Sequence, residues 1–312
     1  MTKIKAIAFG TYGSADVLHP VEIDLPVPGP GQVRIAVRSA GVNPIDHKIR
    51  SGDMAALVQV EFPCVPGREA SGVVEAVGDG VTGVQAGDAV LGPTVTGAYA
   101  ERALADASRL VAKPVSMPWE EAAALPVAAE TAWRALELLE LREGETLLVH
   151  GAAGGVGTMA VQFARARDIH VIGTASEANH AYLRGLGAHP VVYGEGLADR
   201  VRELAPDGVH AALDAAGKGD AVGVSVELTG GPDRVVTIAD SQGALRHGVR
   251  FSSGAEPGAS RTVPALTAAL GLFESGILQL PIHRLYPLSE AAEAQRESER
   301  GHLTGKIVLA VV

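Results

Sequence analysis

Apolar and polar positions follow one period in the first third of this chain and another beyond it, with the change near residue 116. Upstream the period is two. Ile4-Lys5-Ala6-Ile7-Ala8 and Gln32-Val33-Arg34-Ile35-Ala36-Val37 alternate, and residues 73–78 and 88–91 are further short strand candidates between glycine turns. Pro26 to Gly31 forms a proline- and glycine-rich loop. So many short strands predict a compact β-rich domain. At Ser116, a candidate N-cap with Pro118 and the acidic Glu120 and Glu121 behind it, helical segments begin to alternate with strands. Strands are expected at 146–150, 170–174, 190–193, 209–213, 234–239 and 249–252, and helices at 155–167, 177–186 and 197–204. That order implies an α/β domain whose parallel sheet is covered on both faces. Past Gly254 come a glycine/serine loop, a helix from Pro264 to Glu274 and a strand at 282–286. A polar helix capped by Ser289 then runs through Glu299, and a closing strand at 307–311 is expected to return to the first domain's sheet.

Composition narrows the class. The 312 residues suffice for two cores, and 47% hydrophobic with 20% charged residues is a globular balance. A net charge of −10 without any basic tract argues against a nucleic-acid partner. The single cysteine, Cys64, excludes an intrachain disulfide and a four-cysteine zinc site, and a reducing cytoplasm is the expected setting. The first residues alternate like a strand and show no signal-peptide core, and no apolar run reaches the roughly 18–20 residues that span a bilayer, so no membrane partner is expected.

The strongest local signal lies at residues 146–157. Leu147-Leu148-Val149 reads as a buried strand that breaks into Gly151-Ala152-Ala153-Gly154-Gly155-Val156-Gly157, and Thr158 to Arg165 reads as a helix. Strand, glycine turn and helix aim backbone N–H groups at one spot, at the positive end of the helix dipole, which suits a pyrophosphate. The spacing is that of G-x-G-x-x-G with Ala152 in place of the first glycine, tolerable if its φ is negative. Gly154 would let the backbone approach the pyrophosphate, and Gly157 would let the helix pack on its strand. The following strand ends at Ser176, where an NAD-selecting enzyme usually carries an acidic residue. Ser176 can donate to a 2′-phosphate without repelling it, which favours NADPH over NADH. His180, Arg184 and Tyr193 are further candidates for that phosphate; for the first two a solvated helix position is the competing reading.

These features join several others: Ala40-Gly41-Val42-Asn43-Pro44-Ile45-Asp46, Pro66-Gly67-Arg68-Glu69-Ala70-Ser71-Gly72-Val73-Val74, Gly87-Asp88-Ala89-Val90, Gly97-Ala98-Tyr99-Ala100-Glu101, Leu125-Pro126 with Thr131-Ala132, and Gly305-Lys306-Ile307-Val308-Leu309. Together they resemble the medium-chain dehydrogenase/reductase superfamily, within it the zinc-free quinone oxidoreductase-like branch, over nearly the whole chain. The resemblance implies a GroES-like β-rich catalytic domain at 1–118, a Rossmann NADP-binding domain with a doubly wound parallel sheet at 119–253, and a segment at 254–312 that completes the catalytic domain. It also implies a homodimer.

Zinc can be tested against the resemblance. Zinc-dependent relatives carry a cysteine where this chain has Asn43 and a histidine where it has Arg68, and no cysteine or histidine stands just before Thr131. Glu69 and Asp46 alone do not make a catalytic zinc site, so no metal is expected. The chemistry left is hydride delivery to an already electrophilic quinone or α,β-unsaturated carbonyl, with the protein hydrogen-bonding the developing oxyanion. Candidate catalytic residues are three. Asn43 is an oxyanion donor or, equally, a loop asparagine bonding backbone. Asp46 orients its neighbours. Lys48, where quinone reductases of this family often carry a tyrosine, is a proton donor or a solvated lysine. Tyr99 and Trp133 are candidates for lining the substrate pocket, with core packing the competing role for Trp133. Candidate cofactor contacts are Thr131, Ala152, Gly154, Gly155, Val156, Gly157, Thr174, Ser176, Tyr193, Ile238, Phe251 and Lys306. Enoyl reductases of polyketide and fatty-acid synthases carry a tyrosine where this chain has Pro44. An enoyl or alkenal reductase, and a low-turnover NADPH-binding sensor or scaffold, are the alternative functions.

Overall fold

The computed structural model describes residues 2–254 and 261–311; most of the loop expected beyond Gly254 lies outside them. Strand β1 (Thr2–Ala8) pairs antiparallel with β2 (His19–Leu25). Strand β3 (Gln32–Val42) shows the period-two signal in space: Val33, Ile35 and Val37 are fully buried between half-buried neighbours. A helix the alternation does not announce follows, α1 (Pro44–Ser51). Pro44 presets its first turn, and Gly52 at φ 92 ends it in the left-handed region. Strands β4 (Glu69–Val77), β5 (Ala89–Pro93), β6 (Arg102–Asp106) and β7 (Val111–Ala112) complete the N-terminal set. Helix α2 (Trp119–Leu139) starts later than a Ser116 cap requires. The Pro118 carbonyl accepts from Ala122 N–H at 3.0 Å, so Ser116 lies outside the first turn.

From β8 (Thr146–His150) the chain alternates as expected: α3 (Gly155–Arg165), β9 (His170–Thr174), α4 (His180–Gly185), β10 (His189–Val191), α5 (Leu197–Leu204) and β11 (Ala211–Asp214). Helix α6 (Ala221–Thr229), β12 (Val235–Thr237), α7 (Ser241–His247) and β13 (Arg250–Phe251) follow; α6 and α7 were not foreseen. The expected helix at 177–186 divides into a 3-10 turn, Glu177–Asn179, and α4. The order in this parallel sheet is β10-β9-β8-β11-β12-β13. It reverses direction at β8, and in open α/β sheets the ligand crevice lies at such a switch point, beyond the carboxyl ends of the strands.

Helix α8 (Thr262–Glu274), β14 (Ile282–Pro287), α9 (Ala291–Arg300) and β15 (Lys306–Ala310) close the chain. Ser289 does not cap α9; it sits inside the 3-10 turn Leu288–Glu290, and Glu290 takes the cap position. Strand β15 returns antiparallel to β3, with Val308 opposite Gly41, as the sequence led one to expect. It also pairs with β14 in the larger sheet of order β14-β15-β3-β4-β5-β7, where β6 pairs β3.

The chain divides into two compact units. The first comprises Met1–Val127, Thr262–Thr267 and Leu280–Val312; the second comprises Ala128–Arg261 and Ala268–Gln279. The first division therefore falls inside α2. Val33, Ile35, Val37, Val90, Tyr99 and Leu309 centre the core of the first unit, and Leu148, Ile172, Val201, Ala212 and Val235 that of the second.

Candidate active site

In the first unit the end of β3 and the starts of β4 and β15 meet the first turn of α1, and their polar side chains form one buried cluster. Asn43, Asp46, Glu69 and Lys306 are all at most 6% exposed. Glu69 Oε1 accepts from Asn43 Nδ2 at 2.7 Å and from Lys306 Nζ at 2.8 Å, and its Oε2 accepts from Val127 N–H at 2.6 Å. That last donor has a local cause. Pro126 lies inside α2, where its ring and missing N–H disturb the helical ladder, and the next N–H turns to the carboxylate. Gly41 makes room for the same group: a Cβ there would stand 2.1 Å from Glu69 Oε1 and 2.8 Å from the Ala123 carbonyl.

Asp46 accepts from the Asn43 backbone N–H at 2.9 Å and from the Tyr99 hydroxyl at 3.1 Å. Burial pushes its carboxyl up to about 6, against the pull of these hydrogen bonds and of Lys306. Burial also raises the Tyr99 phenol well above its ordinary range, and the neighbouring Asp46 adds to the effect. Tyr99, placed by the sequence in the substrate pocket, is wholly buried and braces Asp46. Lys306, placed by the sequence among the cofactor contacts, donates its ammonium within this cluster to Asn43 Oδ1, to Glu69 and, at 3.4 Å, to the Val42 carbonyl. Lys48 is half-buried one turn further along α1, without a side-chain partner among the described residues. Arg68 is exposed, and no group of three or more His, Cys, Asp or Glu side chains among the described residues converges on a metal position.

The second unit holds the glycine turn. Gly151 has φ 70 and opens the turn after β8, while Ala152 is not among the positive-φ residues and keeps the negative φ that an alanine requires there. Gly157 is needed for close approach, because a Cβ would lie 2.2 Å from the Gly151 carbonyl oxygen. At Gly154 a Cβ would meet only that oxygen, at 3.4 Å, so this side of the turn is open. Gly154 is also the N-cap of α3 and offers no side chain, so the first-turn N–H groups at Gly155, Val156 and Gly157 have no capping oxygen from it. Thr174 supports the turn from behind: its hydroxyl and carbonyl accept from Gly151 N–H at 3.2 Å and Ala152 N–H at 3.1 Å.

The remaining expected contacts are scattered through this unit. Ser176 is half-buried at the end of β9 and accepts from Asn179 Nδ2 at 3.4 Å. Ile238 follows β12 and donates its N–H to the Asp214 carbonyl. Thr131 is half-buried on α2, and Tyr193 is 49% exposed. Phe251 packs against the sheet's apolar core. Trp133 meets Phe163 edge-on at 5.4 Å, lies beneath Arg167, and its indole N–H donates to Glu137 at 2.8 Å. Sequence reading missed the buried His150, whose Nε2 lies 2.9 Å from Ser225 Oγ. The Ser225 hydroxyl donates to the Ala221 carbonyl, so His150 Nε2 is the donor to Ser225.

Comparison with known proteins decides the family. The chain is 34% identical to the quinone oxidoreductase of Pseudomonas aeruginosa over 98% of its own length and 99% of that protein. The chain belongs to the medium-chain dehydrogenase/reductase superfamily, in its quinone-oxidoreductase-like branch. Residues 29–115 match the family described as alcohol dehydrogenase GroES-like domain, and residues 186–309 the family described as zinc-binding dehydrogenase. The pikromycin polyketide synthase component PikAII of Streptomyces venezuelae is 36% identical over 95% of this chain, which spans 8% of that much longer protein. Among solved structures, Escherichia coli quinone oxidoreductase complexed with NADPH superposes with a TM-score of 0.86 at 26% identity, over 98% of this chain and all of that one. As a member of this superfamily the chain has the expected composite fold, a GroES-like β-rich unit with a Rossmann-like parallel sheet.

Proposed function

We propose that this chain is an NADPH-dependent, zinc-independent reductase of quinones or other activated α,β-unsaturated carbonyls. The observation that carries the reading is the buried cluster around Asn43. Its Oδ1, Glu69 Oε1 and the Val42 carbonyl surround the Lys306 ammonium, so the oxygen donors a divalent cation would use already hold a fixed positive charge. Asn43 and the exposed Arg68 do not fit a zinc ion.

The glycine turn fits a dinucleotide: Gly154 is open where a pyrophosphate must approach, and α3 presents its first-turn N–H groups there. Ser176 would meet the ribose 2′-phosphate as a neutral hydroxyl. When bound, NADPH supplies the hydride. Asn43 Nδ2 carries a second hydrogen for the acceptor's oxygen, where negative charge develops. We assign to Lys48 the return of a proton to the reduced acceptor. The likeness to a short part of a polyketide synthase component supports enones beside quinones as acceptors. We further propose a cytoplasmic homodimer; no helix among the described residues is long and apolar enough to cross a membrane.

The test is oxidation of NADPH and NADH against a quinone panel and an enone panel, with and without a chelator. Chelator-resistant turnover with NADPH is expected. Chelator-sensitive activity overturns the zinc-free reading, and a strong NADH preference overturns the reading of Ser176. Tight NADPH binding with no turnover on either panel makes the protein a cofactor-binding module instead. Light scattering on the eluted protein tests the dimer.

A further inference from the structure

The amide of Asn43 is gripped by opposite charges at its two ends. The Lys306 ammonium donates to Oδ1, and Nδ2 donates to Glu69 Oε1 at 2.7 Å. This fixes the orientation of the group, because a flipped amide would set its NH₂ against an ammonium and its oxygen against a carboxylate. Lys306 and Glu69 are 6% and 0% exposed, so both charges act largely away from bulk solvent. A cation on the oxygen of an amide draws electron density from the nitrogen and leaves its N–H hydrogens more positive. One Nδ2 hydrogen is held by Glu69, and the other has no acceptor among the described contacts.

We propose that Lys306 is a positioning residue that acts through Asn43: its buried charge polarises the amide and makes the second Nδ2 hydrogen a stronger donor to the acceptor's oxygen. The inference rests on the preceding functional reading and adds a residue to it. Lys306 has two side-chain partners here, and its ion pair with Glu69 is one of its roles, since a buried carboxylate without a partner is destabilising. The bond from Lys306 to Asn43 Oδ1 plays no part in that ion pair.

A double-mutant cycle separates the two roles. NADPH oxidation with a soluble benzoquinone is measured for the wild type, Asn43→Ala, Lys306→Met, the double variant and Lys306→Arg, with rates divided by the NADPH-binding fraction of each preparation. Loss of one oxyanion donor lowers kcat by about 100-fold or more, and Asn43→Ala is expected to reach that. Lys306→Met is expected to lower kcat about 10-fold or more by the same loss of electrostatic stabilisation, with the KM for NADPH little changed. The double variant is expected to be no slower than Asn43→Ala, and Lys306→Arg to recover most of the rate. If Lys306→Met lowers kcat by its full factor again in the Asn43→Ala background, the lysine is only structural and the proposal fails.

Should Lys306→Met not fold, the 1H–15N spectrum of the wild type and Lys306→Arg decides. The Asn43 side-chain amide protons must lie downfield of ordinary asparagine in both, and ordinary positions overturn the proposal. A wild type that turns over neither quinones nor enones sinks the functional reading alone, since the amide spectrum still reports the polarisation.

Discussion

The Tyr99 hydroxyl donates to Asp46 Oδ2 at 3.1 Å, and both side chains are sealed from solvent. With its carboxyl raised to about 6 from the ordinary 3.8, Asp46 holds its proton more tightly folded than unfolded. Its contribution to stability is therefore fully present below about pH 4 and lost as the pH rises through about 6. A shift of this size corresponds to on the order of 3 kcal/mol. Asp46→Asn removes the titration, so its melting temperature should gain on the wild type between pH 4 and pH 6 and run parallel above. A gap that does not change with pH would refute the assignment.

His150 acts with the opposite sign. Burial lowers its imidazole from 6.5 to about 4, so the folded protein holds it neutral while the unfolded chain takes up a proton. Its contribution is present above about pH 6.5 and is lost as the pH falls toward 4. Replacing it by glutamine, which retains a donor for Ser225, should flatten the acid limb of stability in urea titrations between pH 4.5 and 7. An unchanged slope would show that another group dominates there.

Gly41→Ala should disturb the Asn43 cluster without replacing any charged residue. The new methyl would stand 2.1 Å from Glu69 Oε1, so the carboxylate must move away from Asn43 and Lys306. Overpacking of this kind costs about 1–3 kcal/mol, and the reductase rate per folded molecule should fall as well. A full rate in a correctly folded variant would show that the position of Glu69 does not matter.

Ser176→Asp tests the nucleotide. If the 2′-phosphate sits against this half-buried hydroxyl, a carboxylate there repels it, and the KM for NADPH should rise by about tenfold or more. The KM for NADH should hold or improve. Equal effects on both cofactors would place the phosphate elsewhere.

Much of this was readable in the sequence, for physical reasons. The parallel sheet was legible because its central strands are short apolar runs, and the glycine turn because its chemistry is local. Helix α1 was hidden because its inward face carries Asp46 and Arg50, both buried, and a periodicity of apolar residues cannot reveal a charged face turned inward. The motif pointed to Asn43 and Asp46. Their meeting with Lys306 was not legible, since 237 residues separate it from Glu69 and 263 from Asn43, and only pairing of β15 with β3 unites them. Pro126 was noted as a marker, but its effect on Val127 emerges only in three dimensions.

The discontinuity of the first unit has a consequence during synthesis. Glu69 leaves the ribosome 237 residues ahead of the lysine that neutralises it, and residues 128–261 of the second unit emerge in the interval. Closing the early strands over an uncompensated carboxylate is unfavourable. The nascent β-rich half is therefore expected to stay open around Glu69 until β15 arrives, while the parallel-sheet half can form.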